Sequence, residues 1–293
     1  MDPEHSAAPA VEDAEQTCSL HPGTSTRLRC SRCDRPICGR CAIPASVGQH
    51  CPECVAEARR STRRAKPALQ AAAPAVFAIL AVNIAVYVLQ MAQPGMTERF
   101  ASQPIQIALQ GEWWRLLTAM FLHSPSSLLH ILFNSVVLYM YGPGAEQGFG
   151  TARFVVIYLV SGFLGSATSY LWSEPNISGV GASGAIFGVT GALAVYLRNR
   201  RSTNVMADAY FRNLMGFIGL NLVIGFVLPN IDWRAHLGGL AAGAALGLGY
   251  DRQGPGRTGI QAATTAAVMG AGLLMVVLRT NELRAALAPF FGG

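Results

Sequence analysis

The chain has 293 residues, of which 51% are hydrophobic and only 13% charged, with a formal net charge of +6. An average soluble domain carries about a quarter charged residues, so most of this chain is suited to a bilayer. The positive balance does not point to nucleic acid, because the arginines are distributed around apolar segments and form no aromatic-interleaved basic face.

Residues 1–16 are polar, acidic and rich in Ala, Pro and Glu, with no signal-peptide pattern, and read as a disordered lead. All seven cysteines follow between Cys18 and Cys54, which argues for a local metal site in a reducing compartment over a disulfide framework. Within 17–56, Cys18-x2-His21, Cys30-x2-Cys33, Cys38-x2-Cys41 and Cys51-x2-Cys54 offer eight ligands in four pairs, enough for two tetrahedral zinc ions, with His50 a rival to one cysteine. Two-residue spacing lets both ligands of a pair face one ion across a tight turn. A module this small has too little core to fold without such staples, so its folding is expected to depend on metal. Eight ligands close both sites, which makes the zinc structural and favours contact with a protein partner over chemistry.

The linker 57–71 contains Arg59-Arg60-Ser61-Thr62-Arg63-Arg64-Ala65-Lys66, a basic hinge suited to an anionic inner leaflet. Hydropathy then predicts a membrane domain over 72–279 with seven helices, at about 72–91, 116–141, 154–172, 182–197, 214–228, 235–250 and 260–278, followed by a tail, 280–293. The expected fold class is an all-α polytopic membrane protein preceded by a small zinc-binding domain. With the N-terminus inside, twelve basic residues from Arg59 to Arg257 fall inside and five outside (Arg99, Arg115, Arg234, Arg279 and Arg284). This favours a cytoplasmic N-terminus and an external C-terminus. The connection 92–115 is half apolar and carries Trp113, Trp114 and Arg115 near its end, as suits a segment resting in the outer interface. The fifth and sixth segments are short and divided by Pro229 and Asn230, which fits a bundle around a water-filled recess.

Four polar features converge in this domain. His130 and Asn134, four apart, share a helix face and can both donate to one point. Ser183 opens the fourth span, where first-turn amides can also face a developing negative charge, so the three together would form an oxyanion hole. His236, Gly239 and Gly243 make one stripe on the sixth span, answered by Gly184, Gly188 and Gly191 on the fourth. Two glycine faces meeting closely would bring the Ser183 hydroxyl and a neutral His236 imidazole together. A serine or a small-residue stripe in a membrane helix usually serves packing, and Asn134 alone can glue helices. Intramembrane histidines are functional suspects by default, and the placement of all four near the outer ends of helices decides for a nucleophile and base.

With these residues in view, the chain resembles the rhomboid family of intramembrane serine proteases from about Ala72 to Leu278. The matching elements, in order, are Glu112-Trp113-Trp114-Arg115, His130-x3-Asn134, Gly142-x3-Glu146-x3-Gly150, Gly181-Ala182-Ser183-Gly184 and Ala235-His236-x2-Gly239-x3-Gly243. The resemblance implies a six-helix bundle plus one C-terminal helix on which the core does not depend. It also implies a dyad of Ser183 as nucleophile and His236 as base then acid, and oxyanion donors at His130, Asn134 and the Ser183 amide. Trp114, Arg115 and Glu146 take structural roles by the same likeness. Phe187 stands where some members carry a tyrosine that stacks on the histidine. No acidic partner is required, and Asp232, one turn before His236, reads as a surface residue. The cysteine module in turn resembles a B-box type zinc finger over roughly 17–55. That likeness pairs Cys18, His21, Cys38 and Cys41 on one ion and Cys30, Cys33, Cys51 and Cys54 on the other.

The expected function is therefore cleavage of transmembrane protein substrates near the outer face of a plasma membrane, with no cofactor for catalysis. A catalytically silent rhomboid-like scaffold that binds membrane helices is the alternative, although its usual sign, a missing Ser or His, is absent. A transporter is disfavoured because no inverted repeat is visible and Glu146, Asp208 and Asp232 all fall at segment ends.

Overall fold

The computed structural model describes residues 16–45, 47–58, 73–228, 231–251 and 257–291; residues 1–15 of the expected lead, nearly all of the basic linker, and Pro229 with Asn230 lie outside the described residues. The chain divides into two units, Met1–Leu69 and Gln70–Gly293.

The first unit is built from two short antiparallel ribbons, β1 (Gln16–Cys18) with β2 (His21–Thr26) and β3 (Ile43–Pro44) with β4 (Gln49–His50), then a helix α1 (52–58). A register shift between Thr17 and Cys18 sets Cys18 opposite His21, which brings the first ligand pair together. The core consists of six buried cysteines around Ile37. Ribbons of this length are marginal in water, and one large aliphatic side chain does not hold them.

The second unit is helical: α2 (Pro74–Ala92), α3 (Met96–Phe100), α4 (Pro104–Gln110), α5 (Arg115–Thr118), a 3-10 turn (Ala119–Phe121), α6 (Leu128–Phe149), α7 (Thr151–Trp172), α8 (Ser183–Arg198), α9 (Val205–Val227), α10 (Trp233–Tyr250) and α11 (Arg257–Phe291). Among these, α2, α6, α7, α9 and α11 are long and apolar enough to cross a membrane. The shorter α8 is the axis, buried without a break from Gly184 to Leu193 and packed against α10, α7 and α6. A helix apolar all round belongs at the centre. By contrast α2 buries only Ala75, Val76, Asn83 and Gln90, and its outward Val82, Ile84 and Val88 form a face suited to hydrocarbon.

Three boundaries differ from the sequence expectation. The expected span 116–141 is two pieces: α5 and the 3-10 turn pack Leu116 and Met120 inward, then His123 to Ser127 break the helix before α6 begins. Hydropathy joins them because both are apolar. The expected short span 214–228 is the end of the 23-residue α9, whose first turns carry the Asp208–Arg212 pair on their surface. The expected tail is helical through Phe291, because α11 continues for 35 residues, roughly 50 Å. α11 packs on the bundle: Val276 and Leu283 lie with Ile107, Leu116, Phe163 and Tyr170, and the hydroxyl groups of Tyr170 and Thr280 lie 2.9 Å apart.

The interface connection is pinned by Arg115, which is buried, pairs with Glu112 and donates to the carbonyls of Glu98 and Ala101. Glu146 has the role of a remote cap. Its carboxylate accepts the N–H groups of Ala75 (3.0 Å) and Val76 (2.9 Å) at the start of α2 and the Thr151 hydroxyl (2.8 Å), and Gly150, at φ 82°, makes the sharp turn between α6 and α7. Glu146→Ala strands two buried amides, at about 1–3 kcal/mol each. Its thermal transition in detergent is therefore expected several degrees below wild type, and an unchanged transition would show the cap to be dispensable.

Candidate active site and metal centres

The N-terminal ends of α8 and α10 touch backbone to backbone. A Cβ on Gly239 would run into the carbonyl oxygen of Gly184, one on Gly243 into that of Gly188, and one on Gly191 would lie 2.6 Å from Leu240 O. From α7, a Cβ on Gly165 would lie 2.8 Å from Ala235 O. Glycine at these positions lets three helices approach as no other residue would. The consequence is positional: Ser183 stands at the first residue of α8 and His236 in the first turn of α10, two turns held side by side.

His236 is buried, and its ring stacks on Phe187 with centroids 4.2 Å apart and 14° between planes. Phe187 lies one turn beyond Ser183, so the helix carrying the hydroxyl also fixes the imidazole plane. Nδ1 of His236 has no hydrogen-bond partner among the described residues, and Gly225 of α9 backs it, a Cβ there falling 3.6 Å away.

From α6, His130 reaches the same region, and Asn134 follows it one turn later on the helix. A Cβ on Gly181, whose φ is 137°, would lie 2.8 Å from His130 Nε2 and 3.7 Å from Ser183 Oγ, so both atoms flank one point. His130 Nδ1 accepts the Ser124 amide at 3.3 Å, which leaves the proton of a neutral ring on Nε2, directed at that point. Asn134 is buried, and its Nδ2 has no partner among the described residues. The helix carrying Ser183 has no side-chain cap, so its first amides stay available, and the positive end of the helix dipole favours an anion there.

His123 was not singled out from the sequence. It is fully buried, its ring centroid is 5.2 Å from that of His130, and its backbone is clamped by Gln90, which accepts from its N–H at 3.0 Å and donates to its carbonyl at 2.9 Å. A third histidine in an apolar stretch was the available signal. Asp232, expected at the surface, is half-buried: it caps α10 through the Ala235 amide and accepts the Ser169 hydroxyl from α7.

In the first unit two clusters gather their ligand atoms within 4.8 Å of one another, Cys18, His21, Cys38 and Cys41 in one and Cys30, Cys33, Cys51 and Cys54 in the other. The pairs join first with third and second with fourth; His50 stands on β4 outside both. Sγ–Sγ separations of 3.9 Å (Cys18–Cys41) and 3.8 Å (Cys33–Cys51) match the edge of about 3.8 Å in a tetrahedron with Zn–S bonds of about 2.3 Å. Burial raises the Cys18 thiol, but the amides of Leu20 and Cys38 outweigh it and hold it at about 6. Cys41 is pushed up to about 11 by burial and by the Cys38 and Cys18 thiols beside it, and Cys54 to about 12 by Cys51 and burial. Sulfurs this close cannot all ionise without a cation among them, so the donor set fits a soft divalent metal.

A family profile described as Rhomboid domain matches residues 110–253. The chain is 40% identical over 158 residues to Rhomboid protease GluP of Bacillus subtilis, covering 53% of this chain and 30% of that protein. It is 31% identical over 201 residues to Rhomboid protease AarA of Providencia stuartii, covering 59% and 70%. With RHOMBOID-like protein 1 of Arabidopsis thaliana it shares 40% identity over 136 residues, covering 46% and 34%. The chain thus spans about a third of the length of the first and last of these relatives.

Proposed function

The chain belongs to the rhomboid family, and from that premise we propose that it is a serine endopeptidase that cuts transmembrane segments of other membrane proteins. What carries the reading is the glycine seam, which sets Ser183 and His236 on adjoining first turns with the Nε2 of His130 beside the hydroxyl. Ser183 Oγ attacks the scissile carbonyl while the His236 imidazole takes its proton. The oxyanion is received by His130 Nε2–H, Asn134 Nδ2–H and the first amides of α8, donors in place before charge develops. The imidazolium then protonates the leaving amine, and water entering the polar recess hydrolyses the acyl-enzyme.

A helical peptide bond hides its carbonyl, so the substrate segment must unwind locally to be cut. The α6–α9 side offers an approach from the bilayer: α9 buries only Ala207, Leu214, Ile218 and Gly225, and aromatic pairs such as Phe133–Phe217 and Tyr141–Tyr210 close the seam. The excess of basic residues on the N-terminal side supports a cytoplasmic N-terminus in a plasma membrane, with Ser183 toward its outer face. The deciding experiment incubates detergent-purified protein with a single-span substrate and a fluorophosphonate and locates the adduct by mass spectrometry. An adduct on Ser183 together with cleavage supports the protease. A folded protein that neither cuts nor labels, yet retains bound membrane helices, supports the silent scaffold instead.

For the first unit we propose two structural zinc ions on the two clusters, with no position left open for chemistry, and a role as a contact surface for a protein partner. Elemental analysis of the full chain is expected to find two zinc ions. Chelation should make 16–58 sensitive to trypsin, and Cys38→Ser should lose one ion. A metal-free chain with a protease-resistant module would overturn this.

A further inference from the structure

The N-terminus of α10 is tied to two other helices through side chains that no part of the proposed chemistry uses. Asp232 Oδ1 accepts the Ala235 amide at 3.3 Å, and Oδ2 accepts the Ser169 hydroxyl of α7. Ser169 and Ser173 hydroxyls lie 3.2 Å apart, and the Ser173 carbonyl accepts Arg279 of α11 at 2.8 Å. The α7–α10 contact beside this chain is also close, since a Cβ on Gly238 would collide with the Thr168 hydroxyl. His236 follows Asp232 by four residues on the same helix face, and its own amide donates to the Asp232 carbonyl at 3.2 Å.

A base in this position faces an electrostatic difficulty. When His236 takes the serine proton it becomes a buried cation in the first turn of a helix, where the backbone dipole opposes positive charge. His130 on α6 is neutral when it donates from Nε2, and the side chains of Ser183 and Phe187 on α8 carry no charge. The Arg234 guanidinium is turned over the Trp233 ring, 5.1 Å from its centroid. Resting on the protease reading, we infer that Asp232, held by Ser169, is a positioning residue for His236: it fixes the first turn of α10 and supplies the negative charge that offsets the imidazolium. It does not complete a triad. Both its oxygens are engaged by Ala235 and Ser169, and Nδ1 of His236 has no partner among the described residues.

The informative variant is Asp232→Asn, because asparagine Oδ1 caps a helix as well as aspartate does and its Nδ2–H can donate to the Ser169 hydroxyl oxygen in place of accepting from it, so the fold is kept while the charge is removed. Active sites are counted by the fluorophosphonate endpoint, and kcat is expressed per labelled Ser183. Asp232→Asn is expected to lower kcat and the rate of probe labelling together by about tenfold, equivalent to about 1.4 kcal/mol of barrier, with KM within twofold and an unchanged melting temperature. Ser169→Ala, which frees the carboxylate but keeps its charge, should lower kcat less, and Asp232→Glu should recover part of the loss. A solely structural role would lower the melting temperature and the labelled fraction while leaving kcat per labelled site intact, and that result, or wild-type kcat in Asp232→Asn, overturns the inference alone. Cleavage persisting in Ser183→Ala overturns the protease reading and this inference with it.

Discussion

Ser183→Ala is expected to fold like wild type and to lose cleavage of a single-span substrate by roughly 10⁴- to 10⁶-fold, the scale seen when a nucleophile acting with a base is removed. The side chain is half-buried at the first residue of α8, and deleting its oxygen disturbs no hydrogen bond that holds the helix. Stability should change by less than about 1 kcal/mol. His236→Ala should lose activity on the same scale, with a larger stability cost because Phe187 loses its stacking partner. For a nucleophile and base acting as the proposed unit, the double variant should be no slower than either single one. His130→Ala and Asn134→Ala each remove one of the proposed oxyanion donors and should cost about 10²- to 10³-fold. Initial rates at matched folded concentration check the series, and comparable cleavage by Ser183→Ala would falsify the assignment.

Gly243→Val should prevent folding altogether. Any Cβ at that position falls on the carbonyl of Gly188, so α8 and α10 must move apart along a seam that is backbone on both sides. No flexible side chain is present to yield, and a destabilisation of at least about 4–5 kcal/mol follows, with Gly239→Val in the same class. The control lies on α9, where Gly216 and Gly219 have open space around the missing Cβ. Alanine there should be neutral or stabilising by up to about 1 kcal/mol, through helix propensity and a less flexible unfolded chain. Size-exclusion profiles and thermal transitions in detergent distinguish the two sets, and a well-folded Gly243→Val would show that the seam is looser than its geometry.

The contrast between those glycines shows what a sequence discloses and what it withholds. Ser183 and His236 were legible because each opens a segment whose glycines repeat at helical spacing, a local pattern. The four metal-ligand pairs were legible for the same reason, while the joining of Cys18 with Cys38 came from family likeness, since nothing in two-residue spacing says which pairs meet. Partners that lie on other helices stayed hidden. Asp232 read as surface because Ser169 is far away in sequence, and Glu146 fell at a segment end with no visible ligand. His123 was absorbed into an apolar run that hydropathy could not divide, and the start of α9 was masked by the charges of Asp208 and Arg212.

The Glu146 cap also sets an order on biosynthesis. The amides of Ala75 and Val76 emerge from the ribosome seventy residues or more before the carboxylate that satisfies them. At the usual pace of synthesis this is on the order of ten seconds. During that interval α2 resides in the translocation machinery or the bilayer with its first turn still hydrated, and it can settle at final depth only after α6 has been threaded. A membrane helix made early, α2, is therefore among the last to be finished.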